Sequence, residues 1–245
     1  MSDSIDHSRR SFLGKSAAIG TITIAPGILL HQVASAKPDD QPVSDSVRWG
    51  MLINTNKCAQ GCTDCIDACN EEHALVGNDR PKTDTQYIRK VTLRDKQTGH
   101  ELSLPLMCQH CETAPCVDVC PTGASFQRKD GIALVDKHIC IGCRYCMMAC
   151  PYKARSFVHE SVTNQTLSAP RGKGTVESCT LCVHRVDKDQ IPACVEACGT
   201  GGHDAFMFGD LNDPNSEISK ELEKNGGKQL RADLQLNTAV RYQGI

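Results

Sequence analysis

All sixteen cysteines of this 245-residue chain fall into four groups of four, and none is left over. The third group, Cys140-x2-Cys143-x2-Cys146-x3-Cys150 followed by Pro151, has the spacing of an iron–sulfur cluster motif. Three thiolates that close in sequence can wrap three corners of one cubane, while the fourth is held off at an angle and reaches a second cluster. The second group, Cys108-x2-Cys111-x4-Cys116-x3-Cys120 followed by Pro121, ends the same way, so the two read as reciprocal halves of one module. The first group, Cys58-x3-Cys62-x2-Cys65-x3-Cys69, has one residue more between its first pair and Asn70 where a proline might stand. Gly61, just before Cys62, can adopt the backbone angles that absorb the extra residue. The fourth is Cys179-x2-Cys182-x11-Cys194-x3-Cys198, with Gly199 after it.

Three chemistries compete for so many thiols: a disulfide framework, zinc, and iron–sulfur clusters. Disulfide scaffolds are short secreted domains with dispersed cysteines, whereas these stand two and three residues apart in repeated blocks. Zinc favours paired C-x2-C units across a spacer, which only the fourth group resembles. Clusters are the reading that uses all four groups, and a row of clusters passes single electrons. Their potentials span roughly −700 to +450 mV, so spacing alone leaves the direction of flow open. The sequence has no C-x2-C-His for covalent haem and no G-x-G-x-x-G after a strand. Gly14-Lys15-Ser16 lacks the upstream glycine of a phosphate loop. No substrate-converting site is expected. His73, His110, His159, His184 and His203 are expected at the surface or behind the ligands. Arg144, Lys153 and Arg185 either tune potentials or solvate a face.

The elements around the cysteines are short. A strand is expected over Arg48–Ile53, and a hairpin over Tyr87–Leu93 and Glu101–Met107. A second hairpin spans Ser125–Arg128 and Ile132–Val135 around Asp130-Gly131, and Arg155–His159 closes a further strand pair. Residues 160–176 read as a surface loop. Ala205–Phe208 reads as a strand, Ser216 as the cap of a helix to Lys224, and the last eighteen residues as a tail lying on the surface or against a partner. Aromatic residues make up 4% of the chain, with Trp49 the single tryptophan, so the ordinary core is thin and metal loading should be linked to folding. The formal charge of −2 points to neither nucleic acid nor an acidic tail.

Residues 1–36 read as an address. Ser8-Arg9-Arg10-Ser11-Phe12-Leu13 is a twin-arginine signal, followed by an apolar run from Ala17 to Leu30 and the cleavage site Ala34-Ser35-Ala36. That run falls short of the ~20 residues a spanning helix needs. Export of a folded protein suits clusters that must be built in a reducing compartment.

The order of the groups, the x11 spacer, and the phrase Cys179-x2-Cys182-x-His184-Arg185 leading to Pro192-Ala193-Cys194-Val195-Glu196-Ala197-Cys198 resemble a known family. It comprises the four-cluster iron–sulfur subunits of membrane-associated oxidoreductases of the dimethyl sulfoxide, polysulfide and formate-dependent nitrite reductase type. The resemblance covers about residues 48–210. The signal on the subunit itself and the Cys58-x3-Cys62 variant bring it nearest the periplasmic O subunit of the transmembrane complex associated with dissimilatory sulfite reductase.

This resemblance implies an α+β fold of two ferredoxin-like di-cluster modules in a line, with short hairpins and helices. Cluster segments are expected at 48–78, 99–130, 131–160 and 177–210, the last pairing with the first, ahead of a helix and tail over 211–245. It implies four 4Fe-4S clusters, held by Cys58, Cys62, Cys65 and Cys198; by Cys179, Cys182, Cys194 and Cys69; by Cys108, Cys111, Cys116 and Cys150; and by Cys140, Cys143, Cys146 and Cys120. Each quartet is called below by its first member. The implied partners are a multi-span, quinone-interacting membrane subunit and a multihaem cytochrome c, with membrane association only through them. The competing functions are a freely diffusing multi-cluster ferredoxin and a metal-stabilised interaction protein with no redox role.

Overall fold

Trp49–Asn54 is an apolar run without alternation, the pattern of a strand covered on both faces, and it forms β1, the middle strand of a three-stranded sheet. The computed structural model describes residues 43–80, 82–166, 168 and 170–245. The signal expected over 1–36 lies outside the described residues. Met51, Leu52 and Ile53 are at most 2% exposed. One neighbour of β1 is β8 (Phe206–Asp210), antiparallel with Ile53 opposite Phe206; the other is β9 (Val240–Gln243), parallel with Ile53 opposite Tyr242.

The hairpin of β2 (Ile88–Arg94) and β3 (Glu101–Met107) runs in register from Ile88 opposite Met107 to Arg94 opposite Glu101. The Asp95 carboxylate accepts hydrogen bonds from the backbone N–H groups of Gln97 and Thr98, which shapes its turn. A smaller hairpin joins β4 (Ser125–Gln127) to β5 (Ala133–Val135). Next, β6 (Arg155–Phe157) pairs with β7 (Val176–Ser178). The loop expected over 160–176 therefore ends inside a strand. Val176, Glu177 and Ser178 are all buried, so no alternation marks them in the sequence.

The helices are short and sit on the cysteine groups. They are α1 (Asp64–Glu72), α2 (Pro115–Asp118), α3 (Tyr145–Ala149), α4 (Val183–Val186) and α5 (Ala193–Thr200). Helix α1 packs on α5, and α2 on α3. The first and fourth groups thus share one neighbourhood, and the second and third another. The sixth helix, α6 (Glu217–Asn225), starts where Ser216 Oγ accepts from the Ser219 N–H at 3.2 Å and stops at Gly226. The architecture is a mixed α/β one of short hairpins and short helices. Among the described residues no helix is long and apolar enough to cross a membrane.

The C-terminal tail is the main departure from expectation. Thr238, Ala239, Val240 and Tyr242 are buried to within 1%, so the tail is core and not surface. Beyond the β9 pairing, Ala239 N–H bonds Gln109 O at 2.9 Å, and Glu112 N–H bonds Leu236 O at 3.1 Å. The Tyr242 hydroxyl donates to Pro105 O at 3.0 Å and accepts from Gln109 Nε2 at 3.1 Å. Only two apolar side chains of this strand turn inward, too few for a periodic signal. Much of the rest of the interior is thiol. Cys65, Cys69, Cys108, Cys150, Cys179, Cys194 and Cys198 lie in the larger buried cluster, and Cys111, Cys116 and Cys146 in a second one with Val176 and Leu236.

Candidate metal centres

A single 3-10 turn, Thr55–Lys57, carries the chain from β1 to Cys58. Gly61 has a φ of +74°, which lets the longer Cys58–Cys62 loop close. Lys90, reaching over from β2, pins that loop with bonds from Nζ to Ala59 O (2.8 Å) and Cys62 O (2.6 Å). Cys58, Cys62, Cys65 and Cys198 line one small cavity together with Lys90, His203 and Phe206. The Ala205 N–H points at Cys198 Sγ, 3.3 Å away. His203 sits at the rim, where its ring, Cys62 Sγ and an Asp64 carboxylate oxygen lie within 4.8 Å of one another.

Cys69, at the far end of α1, turns the other way. Burial, and after it the neighbouring Cys179, Cys194 and Cys182, push its thiol well above the ordinary value, so these four share one space. His73 places Nε2 3.6 Å from Cys182 Sγ and packs its ring on Tyr87 and His184. Burial, then the adjacent His184, lower its pKa to about 4, so it is neutral at pH 7. The Leu181 N–H donates to Cys179 Sγ at 3.4 Å.

In the other module Cys111 is pushed up to about 12 by burial and by Cys108, Cys116 and Cys150. His110 is fully enclosed; its Nδ1 accepts from the Ala133 N–H at 3.1 Å, and burial followed by the nearby Arg155 charge takes it down to about 3. Cys120, Cys140, Cys143 and Cys146 line a further small cavity with Ser125, Arg144 and Val176. Here Gly142 is required twice over. Its φ is +70°, and a Cβ would stand 2.2 Å from Gly174 O. The Ser125 N–H donates to Cys120 Sγ at 3.3 Å.

Residues 100–210 match the family described as a 4Fe-4S dicluster domain. The chain is 40% identical to the Hdr-like menaquinol oxidoreductase iron-sulfur subunit 1 of Archaeoglobus fulgidus, over 96% of this chain and 97% of that one. It belongs to the family of 4Fe-4S iron–sulfur subunits. It is also 38% identical to a tetrathionate reductase subunit of Salmonella typhimurium, over 98% of this chain and 90% of the relative. Protein NrfC of Escherichia coli is 36% identical over 89% of this chain and 86% of its own.

The interior of this iron–sulfur subunit suits such a group. All sixteen cysteines are free thiols. Backbone N–H groups point at several sulfurs, an arrangement that favours thiolate over neutral thiol. Buried side-chain groups beside the cysteines, namely His110 Nε2, Ser125 Oγ, Thr180 Oγ1, and Nε and Nη1 of Arg155, have no hydrogen-bond partner within the protein. An interior of hydrocarbon would leave such groups costly, whereas cluster sulfides would accept from the donors among them.

The cations singled out in the sequence divide. Arg144 stacks 3.7 Å over the Phe157 ring at the edge of the Cys140 quartet. Arg185 pairs with Glu72 and Glu196, tying α4 to α1 and α5, and His184 Nε2 meets the same Glu72 carboxylate at 2.6 Å. Lys153 is exposed. Two further cations stand among the cysteines, Lys90 lining the Cys58 cavity and Arg155 bonding Cys116 Sγ at 3.1 Å; the sequence does not mark them, because each lies in a strand and not in a cysteine run.

Proposed function

We propose that this chain holds four 4Fe-4S clusters in a row and relays single electrons between a multi-span, quinone-interacting membrane subunit and further redox partners, a multihaem cytochrome c among them. The observation that carries this is the succession of quartets. Cys69 and Cys194 feel Cys65 of the Cys58 quartet. Cys179 feels Cys108, and Cys146 feels Cys116. These neighbours support the order Cys58, Cys179, Cys108, Cys140, with an end quartet at either side. When bound, each cluster supplies reversible one-electron oxidation and reduction. The chain holds the thiols, excludes water from the two inner quartets and sets the surrounding charge.

The Cys140 end supports a lasting partner. Cys143 is exposed, and around it Ile139, Ile141, Tyr145 and Met148 stand in solvent, with Ile141 67% and Met148 66% exposed. Permanent interfaces are more apolar than transient electron-transfer contacts, so this end is assigned to the membrane subunit. A relative described as a menaquinol oxidoreductase subunit supports a quinone-handling complex. The twin-arginine sequence supports export in folded form and a periplasmic site of action; with Cys58-x3-Cys62 it also supports the narrower kinship to the O subunit of the sulfite reductase-associated complex.

Purification of the intact complex from membranes, with metal analysis of this subunit, tests the proposal. About sixteen irons per chain and a co-purifying multi-span subunit are expected. About twelve irons with stoichiometric zinc would replace one cluster by a zinc site. Quantitative release from washed membranes at low salt, without any associated subunit, would favour the diffusing ferredoxin. Changing Arg9 and Arg10 to Lys should leave folded protein in the cytoplasm, and normal periplasmic accumulation of that variant would refute the export route.

A further inference from the structure

A guanidinium inside a protein is normally held by a carboxylate, because an unpaired buried charge is costly. Arg171 follows the rule: it is buried against Glu177, with Nε 3.0 Å from Oε2, and its Nη1 donates to Ala74 O at 2.9 Å. Arg155 breaks it. This side chain is 5% exposed and faces the thiols of Cys116, Cys108 and Cys146; among the described residues it forms no ion pair with a carboxylate. Nη2 donates to Cys116 Sγ at 3.1 Å. Nε and Nη1 are buried without a partner in the protein. The residue opens β6, where it stands opposite Ser178 of β7, so the backbone that carries it is fixed.

We propose that Arg155 is a positioning residue for electron transfer. Its fixed positive charge, lodged between the Cys108 and Cys140 quartets, raises the reduction potential of the clusters they hold, that of the Cys108 quartet most. This rests on the cluster occupancy proposed above. An accepted electron adds one negative charge to a cluster, so an unscreened cation and N–H donors beside it favour the reduced state. At the inner neighbour the cation is differently placed: Arg185, beside Cys182, is paired with the carboxylates of Glu72 and Glu196. Arg155 thereby sets a step in potential between the Cys179 and Cys108 quartets. With clusters held there, an electron shared between the two would be drawn toward the Cys108 quartet, with no bond made or broken and Arg155 keeping its proton throughout.

The test is an anaerobic potentiometric titration of the mature, iron-loaded protein followed by electron paramagnetic resonance, with wild type, Arg155→Met and Arg155→Lys compared. In Arg155→Met one or two clusters should move to more negative potential by about tenfold in the one-electron equilibrium, 59 mV, while the others stay in place. Arg155→Lys should recover part of the shift, because it keeps the charge and loses the planar fork. Potentials unchanged in Arg155→Met at full iron content would overturn the proposal, as would an equal shift of every cluster. Should Arg155→Met fail to load iron, Arg155→Gln, which also removes the charge but keeps N–H donors, decides in its place: a selective negative shift supports the role, and wild-type potentials refute it. Wild-type protein without four cluster signals would instead sink the occupancy, a result separate from any outcome for Arg155.

Discussion

Removing the hydroxyl of Tyr242 tests whether the C-terminal tail is part of the fold. In Tyr242→Phe the ring still fits. Pro105 O loses the donor at 3.0 Å, and Gln109 Nε2 loses one of its two acceptors, keeping Met107 O at 3.0 Å. Leaving a buried carbonyl without this partner costs about 1–3 kcal/mol. For a domain of this size each kcal/mol moves the melting temperature by about 2–4 °C, so a loss of about 2 kcal/mol lowers it by about 4–8 °C. Tyr242→Ala adds a cavity beneath β1 and should cost about 3–5 kcal/mol. Anaerobic thermal scans would follow far-ultraviolet circular dichroism together with cluster absorption near 400 nm. One scan rate is needed throughout, because cluster loss makes unfolding irreversible. Cluster absorption should disappear together with secondary structure, since the tail also bonds Gln109 and Glu112 on either side of Cys111. A Tyr242→Ala protein that melts within a degree of wild type would show that the tail is not a core strand and that the reasoning is wrong.

Three further outcomes are expected. Cys58→Ala and Cys198→Ala should damage one and the same cluster, because the two residues line one cavity; magnetic resonance spectra in which the two variants lose different clusters would contradict this. Burial works against ionisation of Glu72, but hydrogen bonds from His184 and Arg185 outweigh it and hold the carboxyl below its ordinary value. Its stabilising contribution is then complete above the unfolded pKa and lost only as pH falls through the lowered folded one. Glu72→Gln should accordingly cost about 1 kcal/mol, constant between about pH 8 and 9, where Arg185 is charged throughout. A difference in melting temperature that grows or vanishes across that range, measured at one scan rate, would refute the ion-pair account. Finally, chelation of iron under reducing conditions should unfold the chain, since the thiols fill the interior and burial pushes Cys65 and Cys108 up to about 12, leaving neutral thiols in cluster-sized spaces. Retention of native far-ultraviolet dichroism after complete iron removal would show the core to be self-sufficient.

The sequence by itself determined what is local. Ligand spacing is a matter of two, three or four residues, so the cysteine groups and their chemistry were readable without any fold. The β2–β3 hairpin announced itself by alternation around Asp95–Gly99, and α6 by the Ser216 cap and the Asn225-Gly226-Gly227 stop. Gly61 was legible because an extra residue in a tight loop demands a special φ. Tertiary structure alone decided what depends on distant segments meeting. Cys198 comes to Cys58, and Cys69 to Cys179, because α1 packs on α5; that packing surface is written in two stretches more than a hundred residues apart. Strand β7 is buried throughout, so period-2 patterning, which needs one wet face, never develops there, and the tail strand β9 alternates over only four residues, too few to read. Arg155 and Lys90 show the same limit at the level of one side chain. Each is an ordinary cation in its own strand, and only the arrival of another segment's sulfurs or loop carbonyls gives its charge something to act on.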